Sequence, residues 1–250
     1  MKSTKSLGST AGRLFIEEAG GKITNVNGEP RKDTDTMLAS NGLVHEQILN
    51  IIKEKAGVEV IGVVKGNGYG FGMANLAEIL MQNGIKTFAV TEVYDIPLLR
   101  ETVLDNDILV MRSTCVEEEA KTIAQYDCIA TIGSLSSAEV MDKVSKELGK
   151  KTKCHLKIDT GMGRYGFLPS QVESAIKCYD FENLDFCGAY THFSSAFHNV
   201  QLTKVQLEMF KDTIKQIEKA GKSVGKLHAS NSPALLNVDG VSLDAVRIGS

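Results

Sequence analysis

Residues 58–84 read VEVIGVVKGNGYGFGMANLAEILMQNG and contain one complete unit of a repeating pattern. A short β-branched run, 58–64, is followed by glycines and then by an amphipathic stretch, 73–83, which ends at Gly84. β-Branched runs are typical of strands, and a glycine after an amphipathic stretch is typical of a helix C-terminus. The stretch therefore predicts a strand followed by a helix, which is the repeating element of a parallel sheet.

The same alternation continues to the end of the sequence and predicts eight strands. They are 58–64, 87–91, 107–112, 128–132, 153–158, 186–191, 226–229 and 244–248. The helices predicted between them are 73–83, 93–103, 116–125, 135–148, 169–178 and 201–220. Eight such units predict an α/β protein with a (β/α)8 barrel of the TIM type. A doubly wound open sheet is the competing architecture, but no G-x-G-x-x-G follows the first strand.

The first forty residues have a different character from the rest. Gly20, Gly21, Asn25, Asn27 and Gly28 are spaced as turns, so we predict a partly irregular N-terminal extension over residues 1–40 and the barrel over residues 41–250. A helix is predicted over residues 43–55, before the first strand. No helix is predicted after the eighth strand, and the helix at 43–55 is expected to cover that place.

Composition limits the classes of function. The chain has 250 residues, is 24% charged and carries a formal net charge of -3 without long runs of either sign, so nothing in it favours nucleic acid or an anionic membrane as a partner. Small molecules are the expected partners. Five cysteines without a C-x-x-C pair suit a reducing compartment. The N-terminus lacks the apolar segment of a signal peptide, and the sequence predicts a soluble, cytoplasmic protein.

Chemistry-bearing residues follow the predicted strands. Lys65 emerges from the first strand into the glycine-rich segment GNGYGFG, and a lysine desolvated at a barrel mouth is a competent Schiff-base amine. The glycines let backbone N–H groups approach a phosphate, although the segment is not a nucleoside-triphosphate loop. The alternative is that Lys65 reaches solvent and that the glycines only make a turn.

The fifth predicted strand ends in HLKIDTGMGRYGF, residues 155–167. Because side chains alternate along a strand, His155, Lys157 and Asp159 share one face and are expected to point into the barrel. Buried charges are costly, and function is the usual reason for keeping them. The alternative is an internal ion pair between Lys157 and Asp159.

The last three predicted strands also end in polar residues. His192 follows the sixth strand, Asn231 and Ser232 follow the seventh, and Arg247 and Gly249 lie at the end of the eighth. Serine, asparagine and glycine N–H groups after strands seven and eight are typical of a barrel's phosphate site. His192 and His198 are too isolated to predict a zinc site, and no metal is expected.

Five segments, in this order, resemble the N-terminal, pyridoxal-phosphate-binding barrel of alanine racemase. They are VVKGNGYGFG (63–72), HLKIDTGMGRYGF (155–167), THF (191–193), HASNSPA (228–234) and VRIG (246–249). The second segment is especially specific to that family. The resemblance spans residues 58–250, and it implies a (β/α)8 barrel, pyridoxal 5'-phosphate as the cofactor and interconversion of L- and D-alanine.

The resemblance also implies roles for individual residues. Lys65 would hold the cofactor as a Schiff base and act as the base on one face of the substrate. Arg164 would contact the phenolic oxygen, His192 would lie beside the ring and Arg247 would meet the pyridine nitrogen. Lys157 matches a lysine that is carbamylated in some family members. The residues implied in holding the phosphate are Tyr69, Ser232, Gly249 and Ser250, with Asn231 adjacent.

Two departures from the family bear on activity. Full-length members continue into a β-domain that supplies a tyrosine as the opposite base across a dimer interface, and the family's usual opening strand is not recognisable in residues 1–40. Tyr165 and Tyr190 are expected to be core or rim residues rather than replacements for that base. We therefore expect slow or no racemisation by this chain alone, with a homodimer or a partner chain supplying the missing domain.

Two further functions compete with an amino-acid racemase. A one-domain protein of cofactor homeostasis would hold pyridoxal phosphate without turnover, but such proteins lack the DTGMGR and HASNS segments. A cofactor-free Schiff-base aldolase would use Lys65 but would leave Arg247 and the phosphate motif without a role.

Overall fold

The computed structural model describes residues 22–24, 38–40 and 58–249. The chain divides into two units, Met1–Gly57 and Val58–Ser250. In the first unit, Lys22–Thr24 and Leu38–Ser40 pair as two short antiparallel strands. The predicted domain boundary at residue 41 and the predicted helix over 43–55 fall outside the described residues, and both stay predictions.

The second unit is a (β/α)8 barrel, and all eight predicted strands are present in it. They are β1 Glu59–Val63, β2 Thr87–Val90, β3 Asp107–Val110, β4 Ala130–Ile132, β5 Thr152–Lys157, β6 Leu184–Tyr190, β7 Lys226–His228 and β8 Ala245–Ile248. The strands are parallel and follow the order 3-2-1-8-7-6-5-4.

The two outer strands of that order, β3 and β4, also meet. The Ile129 N–H donates to the Ile108 carbonyl over 2.8 Å, and the Val110 N–H donates to the Ile129 carbonyl over 3.0 Å. A parallel bridge joins Leu109 to Ile129. These bonds close the sheet on itself, which distinguishes the barrel from the open sheet considered as its competitor.

Seven helices accompany the strands in the described part of the chain. They are α1 Met73–Gln82, α2 Ile96–Val103, α3 Glu117–Gln125, α4 Leu135–Glu147, α5 Val172–Lys177, α6 Val200–Lys219 and α7 Ser232–Asn237. Short 3-10 turns adjoin two of them: Val93–Asp95 before α2, and Pro169–Gln171 and Cys178–Asp180 around α5. The first six were predicted, and α7 was missed. None of the described helices has both the length and the apolar character needed to cross a membrane.

Local sequence explains where several helices begin and end. The Ser134 hydroxyl accepts a hydrogen bond from the Ser137 N–H at the start of α4, and the Asn199 side chain caps α6 in the same way. Gly84, Gly149 and Gly221 follow the ends of α1, α4 and α6 with positive φ angles. Only glycine adopts that conformation without strain, so these positions stop the helices as predicted.

The barrel interior has an apolar half and a polar half. Inward-facing residues of β1 to β4 are mostly aliphatic and pack in one cluster that includes Ile61, Val63, Ala89, Leu109 and Ile129. The corresponding positions of β5 to β8 hold buried polar groups. They are His155, Lys157, Tyr190, His228 and Arg247. Outside the barrel, a larger hydrophobic cluster packs between the strands and the helices. The polar half is therefore the part of the interior that calls for a functional explanation.

A shift in register between β5 and β6 shapes that polar half. Cys154 pairs with Phe186, whereas His155 pairs with Gly188, so Cys187 is the extra residue of a bulge. A Cβ at Gly188 would lie 2.4 Å from the His155 Nε2 atom. A Cβ at Gly225 would lie 2.2 Å from the Cys187 carbonyl oxygen. The two glycines let His155 and the loop before β7 approach the bulged strand.

Substituting Gly225 tests how tightly the bulge is packed. Gly225 and Gly221 both have positive φ, at +65° and +77°, but only Gly225 lies against backbone. Gly221→Ala is expected to lower the free energy of unfolding by about 1–2 kcal/mol through backbone strain alone. Gly225→Ala is expected to lower it by about 1–3 kcal/mol more, because the new methyl group displaces β6. Urea unfolding followed by circular dichroism measures both, and equal losses would contradict the assigned contact.

Candidate active site

The predicted site residues lie at one end of the barrel, where the strands end. Lys65 lies two residues beyond β1, Arg164 in the loop after β5 and His192 just after β6. Ser232 begins α7 after β7, and Arg247 lies within the last strand. The positive charges of Arg247, Arg164, Lys157 and Lys65 all act on His192, so the structure brings these groups from four strands to one place.

A left-handed turn, Lys65–Tyr69, connects β1 to α1. Gly66, Asn67, Gly68 and Tyr69 have φ angles of 60°, 53°, 63° and 56°. The glycines accept this conformation readily and asparagine tolerates it, but it is costly for tyrosine. The Asn67 side chain also accepts a hydrogen bond from the Met73 N–H over 3.1 Å, which caps α1. The sequence predicted a glycine-rich loop here but not its handedness.

The turn ends with the Tyr69 hydroxyl against Gly249, just beyond β8. A Cβ at Gly249 would lie 2.3 Å from that hydroxyl oxygen. The Gly249 N–H donates to the Ser232 Oγ over 3.1 Å, and this hydroxyl also contacts the Gly249 carbonyl. Tyr69, Ser232 and Gly249 therefore form a small polar cluster, called the Gly249 cradle below, in which the Tyr69 hydroxyl occupies the space that a side chain at residue 249 would need.

Two further residues were implied in holding the phosphate, Asn231 and Ser250. The Asn231 Oδ1 accepts from the Ala234 N–H over 3.1 Å and caps α7, so its side chain organises the helix that carries Ser232. Ser250 lies outside the described residues, and its predicted contact stays a prediction.

The guanidinium of Arg247 is buried, with 3% of the residue exposed. Its Nη2 atom donates to the carbonyls of Thr191 and Ala229 over 2.8 and 2.9 Å and lies 3.4 Å from the His192 Nδ1 atom. Its Nη1 atom donates to the His228 Nδ1 over 2.7 Å and to the His228 carbonyl over 3.2 Å. Burial lowers the pKa of Arg247 to about 10, so the group remains a cation at pH 7.

Lys157 lies deeper in the polar half, with 2% of the residue exposed. Its Nζ donates to the Ile158 carbonyl over 2.9 Å and lies 5.4 Å from the centre of the Tyr190 ring. Burial, helped by the charge of Arg247, lowers the pKa of Lys157 to about 7. A substantial fraction of this lysine is therefore an uncharged amine at neutral pH.

Asp159 does not form the ion pair with Lys157 that the sequence left open. Its Oδ1 accepts from the N–H groups of Gly161, Met162 and Gly163, and its Oδ2 accepts from the Arg164 N–H. Although burial opposes the charged form, these four bonds hold the pKa of Asp159 below its usual value. The carboxylate thus fixes the loop that carries Arg164, whose own side chain is exposed and lies over the Tyr165 ring.

His192 is uncharged at neutral pH. Burial and, after it, the charges of the surrounding cations lower its pKa to about 3. His198, the second histidine that was considered for a zinc site, is exposed. Within residues 58–249, no three His, Cys, Asp or Glu side chains are grouped closely enough to hold a metal ion.

Comparison with known proteins shows which family the sequence of this chain resembles. The family model described as "Alanine racemase, N-terminal domain" matches residues 46–250 of the chain. The chain belongs to this family. An alanine racemase of Methanococcus maripaludis is 36% identical over 194 residues, which cover 76% of this chain and 52% of the relative. This chain thus spans about half the length of the relatives that it matches.

Solved alanine racemase structures share the fold. The enzyme of Clostridium difficile 630 matches with a TM-score of 0.75 at 30% identity, covering 80% of this chain and 53% of the other. The enzyme of Bartonella henselae, solved with covalently bound pyridoxal phosphate, matches with a TM-score of 0.71 and covers 80% of this chain and 57% of the other. At 24% identity, the second likeness shows the fold alone.

Two buried residues of this end of the barrel were given no role from the sequence. Tyr190 was expected to be a core or rim residue, and it is buried at 2% exposure. Its ring also stacks on the His228 ring at 4.7 Å, and its hydroxyl donates to the Met111 carbonyl over 2.8 Å. His228 was quoted in a motif without a role. The signal was available, because both residues are polar at positions that alternate inward along their strands.

Substitution of Asp159 tests whether its carboxylate organises the Arg164 loop. Asp159→Asn keeps one acceptor but turns an N–H₂ group towards one of the four donors, so the free energy of unfolding should fall by about 2 kcal/mol. Asp239→Asn, at an exposed position, should change it by less than about 0.5 kcal/mol.

The effect should depend on pH. Because the pKa of Asp159 is lower in the folded chain, its contribution is complete above the pKa of unfolded aspartate, about 3.9, and is lost as pH falls through the folded-state pKa. Urea unfolding at pH 7, 4 and 3 should show the gap between the parent and Asp159→Asn narrowing. A constant gap would contradict the assigned role.

Proposed function

We propose that this chain is the cofactor-binding barrel of a pyridoxal-phosphate-dependent amino-acid racemase whose substrate is alanine. The observation that carries the proposal is the turn Lys65–Tyr69. It places an amine at its start, and at its end a phenol that completes the Gly249 cradle. One short turn thus offers partners for a carbonyl group and for a phosphate, and pyridoxal 5'-phosphate carries both.

The residues present fit that cofactor. The Gly249 cradle holds one backbone N–H group and two hydroxyl groups, which are donors suited to phosphate oxygens once a phosphate replaces the bonds between Ser232 and Gly249. Ser250 is proposed as a further donor, while Asn231 holds the start of α7. Lys65, Arg164 and Arg247 make the end of the barrel positive, which favours an anionic cofactor.

When bound, pyridoxal 5'-phosphate supplies an electron-accepting ring that eases removal of the α-proton of an amino acid. Arg247 is proposed to face the ring nitrogen. As a buried cation, it disfavours protonation of that nitrogen and so limits the chemistry to loss and return of the α-proton. His192, uncharged, is proposed to lie beside the ring, and Arg164 to contact the phenolic oxygen.

Lys157 is the proposed site of carbamylation. An uncharged amine adds carbon dioxide with loss of one proton, and the lowered pKa of Lys157 makes that form available at neutral pH. The product is an anion beside Arg164 and Arg247, whose charges would stabilise it.

The Lys65 amine is proposed to remove and return the α-proton on one face of the substrate. Racemisation needs a second acid and base on the opposite face. In the described residues the two candidate tyrosines are otherwise engaged, Tyr190 in the core and Tyr165 under Arg164. We place the second group in the half of the relatives that this chain does not span, contributed by a homodimer or a partner chain.

Covalent labelling tests the cofactor site. The chain is incubated with pyridoxal 5'-phosphate and reduced with borohydride, which makes a lysine–pyridoxyl bond permanent, and the modified peptide is identified by mass spectrometry. Label is expected on Lys65 and is expected to disappear in Lys65→Arg but not in the exposed control Lys204→Arg. Gly249→Ala should reduce labelling by pyridoxal phosphate at least tenfold and leave labelling by pyridoxal unchanged, because its methyl group would displace the Tyr69 hydroxyl from the phosphate cradle. Label spread evenly over surface lysines would reject the site.

Exchange of the α-proton tests the chemistry. With pyridoxal phosphate and either enantiomer of alanine in deuterium oxide, the chain should deuterate one enantiomer at least tenfold faster than the other, with retention of configuration, because Lys65 serves one face. Proton NMR follows exchange, chiral chromatography follows racemisation, and Lys65→Arg is the inactive control. Racemisation as fast as exchange would show that both bases are present. Label on Lys65 without any exchange would indicate a protein that only holds the cofactor.

A further inference from the structure

A chain of three buried side chains runs from the proposed cofactor site into the barrel. The Arg247 Nη1 lies 2.7 Å from the His228 Nδ1, and the His228 Nε2 lies 2.9 Å from the His155 Nδ1. All three residues are at most 3% exposed. The Arg247 guanidinium thus connects through two imidazoles to the middle of the barrel.

The donors and acceptors fix the direction of this chain. A guanidinium only donates, so the His228 Nδ1 must accept and the proton of a neutral His228 must be on Nε2. That Nε2–H then donates to the His155 Nδ1, which places the His155 proton on its own Nε2. Both contacts are satisfied when each ring carries its proton on Nε2. With the proton on Nδ1 of either ring, two donors or two acceptors would face each other in at least one contact.

Electrostatics favours neutral rings. Burial lowers the pKa of His155 to about 3, and burial together with the charge of Arg247 places the pKa of His228 well below its usual value. A charged His228 would carry a proton on Nδ1, facing Arg247, and would lose the 2.7 Å bond. The surroundings therefore favour neutral His155 and His228. These two residues and Arg247 are called the relay below.

The orientation of the His228 ring is also fixed. Tyr190 stacks on it with an angle of 8° between the rings, and the Tyr190 hydroxyl is held by the Met111 carbonyl and by the Thr131 hydroxyl. A ring held on its face cannot rotate to exchange its nitrogens without displacing Tyr190. The His228 nitrogens therefore keep their partners.

The far end of the relay opens into a cavity at the N-terminal end of the barrel. The cavity has a volume of about 120 Å³, and its lining includes His155, Thr87, Asp107, Lys153 and Lys226. Lys153 pairs with Asp107 at 3.1 Å, and Lys226 pairs with Glu59. Such a polar space is large enough for water, and a water there can accept from the His155 Nε2–H.

We propose that His155 is a positioning residue for Arg247, which it acts on through His228. His155 offers its Nδ1 as the acceptor for the His228 Nε2–H and so reinforces the tautomer that the Arg247 guanidinium requires of His228. His228, held in this way, restrains the guanidinium at the end of the barrel where the cofactor is proposed to bind. The link to the cofactor rests on the proposed function. The tautomers and the restraint on Arg247 are properties of the chain alone.

Nitrogen NMR of the unmutated chain tests the relay directly. With ¹⁵N-labelled histidine at pH 7, His155 and His228 should each show a protonated Nε2 and an unprotonated Nδ1. A nitrogen–nitrogen coupling across the hydrogen bond should join the His228 Nε2 to the His155 Nδ1. Protonation of Nδ1 in either ring, or absence of the coupling, would overturn the proposal. This experiment uses the unmutated chain and does not require that a cofactor is bound.

A matched pair of variants tests the positioning of Arg247. Asn at residue 155 places an oxygen where the ring has Nδ1, so His155→Asn keeps the acceptor for His228, whereas His155→Leu removes it. In the parent and in His155→Asn, the guanidinium protons of Arg247 should give separate NMR signals because rotation is restrained. In His155→Leu these signals should merge. Separate signals in His155→Leu would overturn the proposed role.

Cofactor affinity provides the second readout. His155→Leu should raise the Kd for pyridoxal 5'-phosphate at least fivefold, His155→Asn should change it by less than twofold, and the loss should vanish in an Arg247→Met background because the relay acts only through Arg247. An equal loss in that background would show a general structural effect and overturn the role. A chain that binds no cofactor would defeat the proposed function, while the NMR signals would still decide the relay.

Discussion

Burial of the Arg247 guanidinium is the constraint on which the polar half of the barrel depends. A buried cation must find acceptors for its N–H groups, because each unsatisfied donor costs free energy. Arg247 finds them at Thr191 and Ala229, the residues that directly follow β6 and β7, and at the backbone and ring of His228. The carbonyl groups at the ends of two strands and one imidazole thus all bind a single side chain. The residues packed around them must leave these acceptors in place.

The choice of arginine over lysine has a measurable consequence at this depth. Burial lowers the pKa of Arg247 to about 10 and that of Lys157 to about 7, each from its ordinary value. The two shifts have the same cause and similar size, but only the arginine stays fully charged at neutral pH. The barrel therefore holds one permanent cation and one amine close to its titration point within the same polar half. Each suits the role proposed for it, because the first needs a fixed charge and the second needs a reactive lone pair.

The sequence predicted the strands because eight separate β-branched runs recur, and it predicted the residues at the mouth because they follow those runs directly. It missed features that depend on contacts between distant segments. The contact between His155 and His228 joins two separate strands and lies beside the register shift at Cys187, and no local pattern indicates either feature. The handedness of the Lys65–Tyr69 turn was also missed, because a glycine-rich segment is compatible with many backbone paths. Asp159 was considered as a partner for Lys157, yet four adjacent backbone N–H groups are better placed to bind its carboxylate.

The position of the site in the topology links its assembly to closure of the barrel. β1 and β8, the first and last strands, are neighbours, and Ile248 pairs with Gly62. The turn that follows β1 carries Lys65 and Tyr69, while Gly249 follows β8, so the Gly249 cradle exists only when the two ends of the barrel sequence have come together. Such long-range pairing is slow to form, since loop closure must precede the contacts that stabilise it. The strained φ of Tyr69 adds to the cost of assembling the turn. A ligand that binds only the assembled cradle favours the closed barrel by mass action, so binding of such a ligand and closure of the barrel are thermodynamically linked.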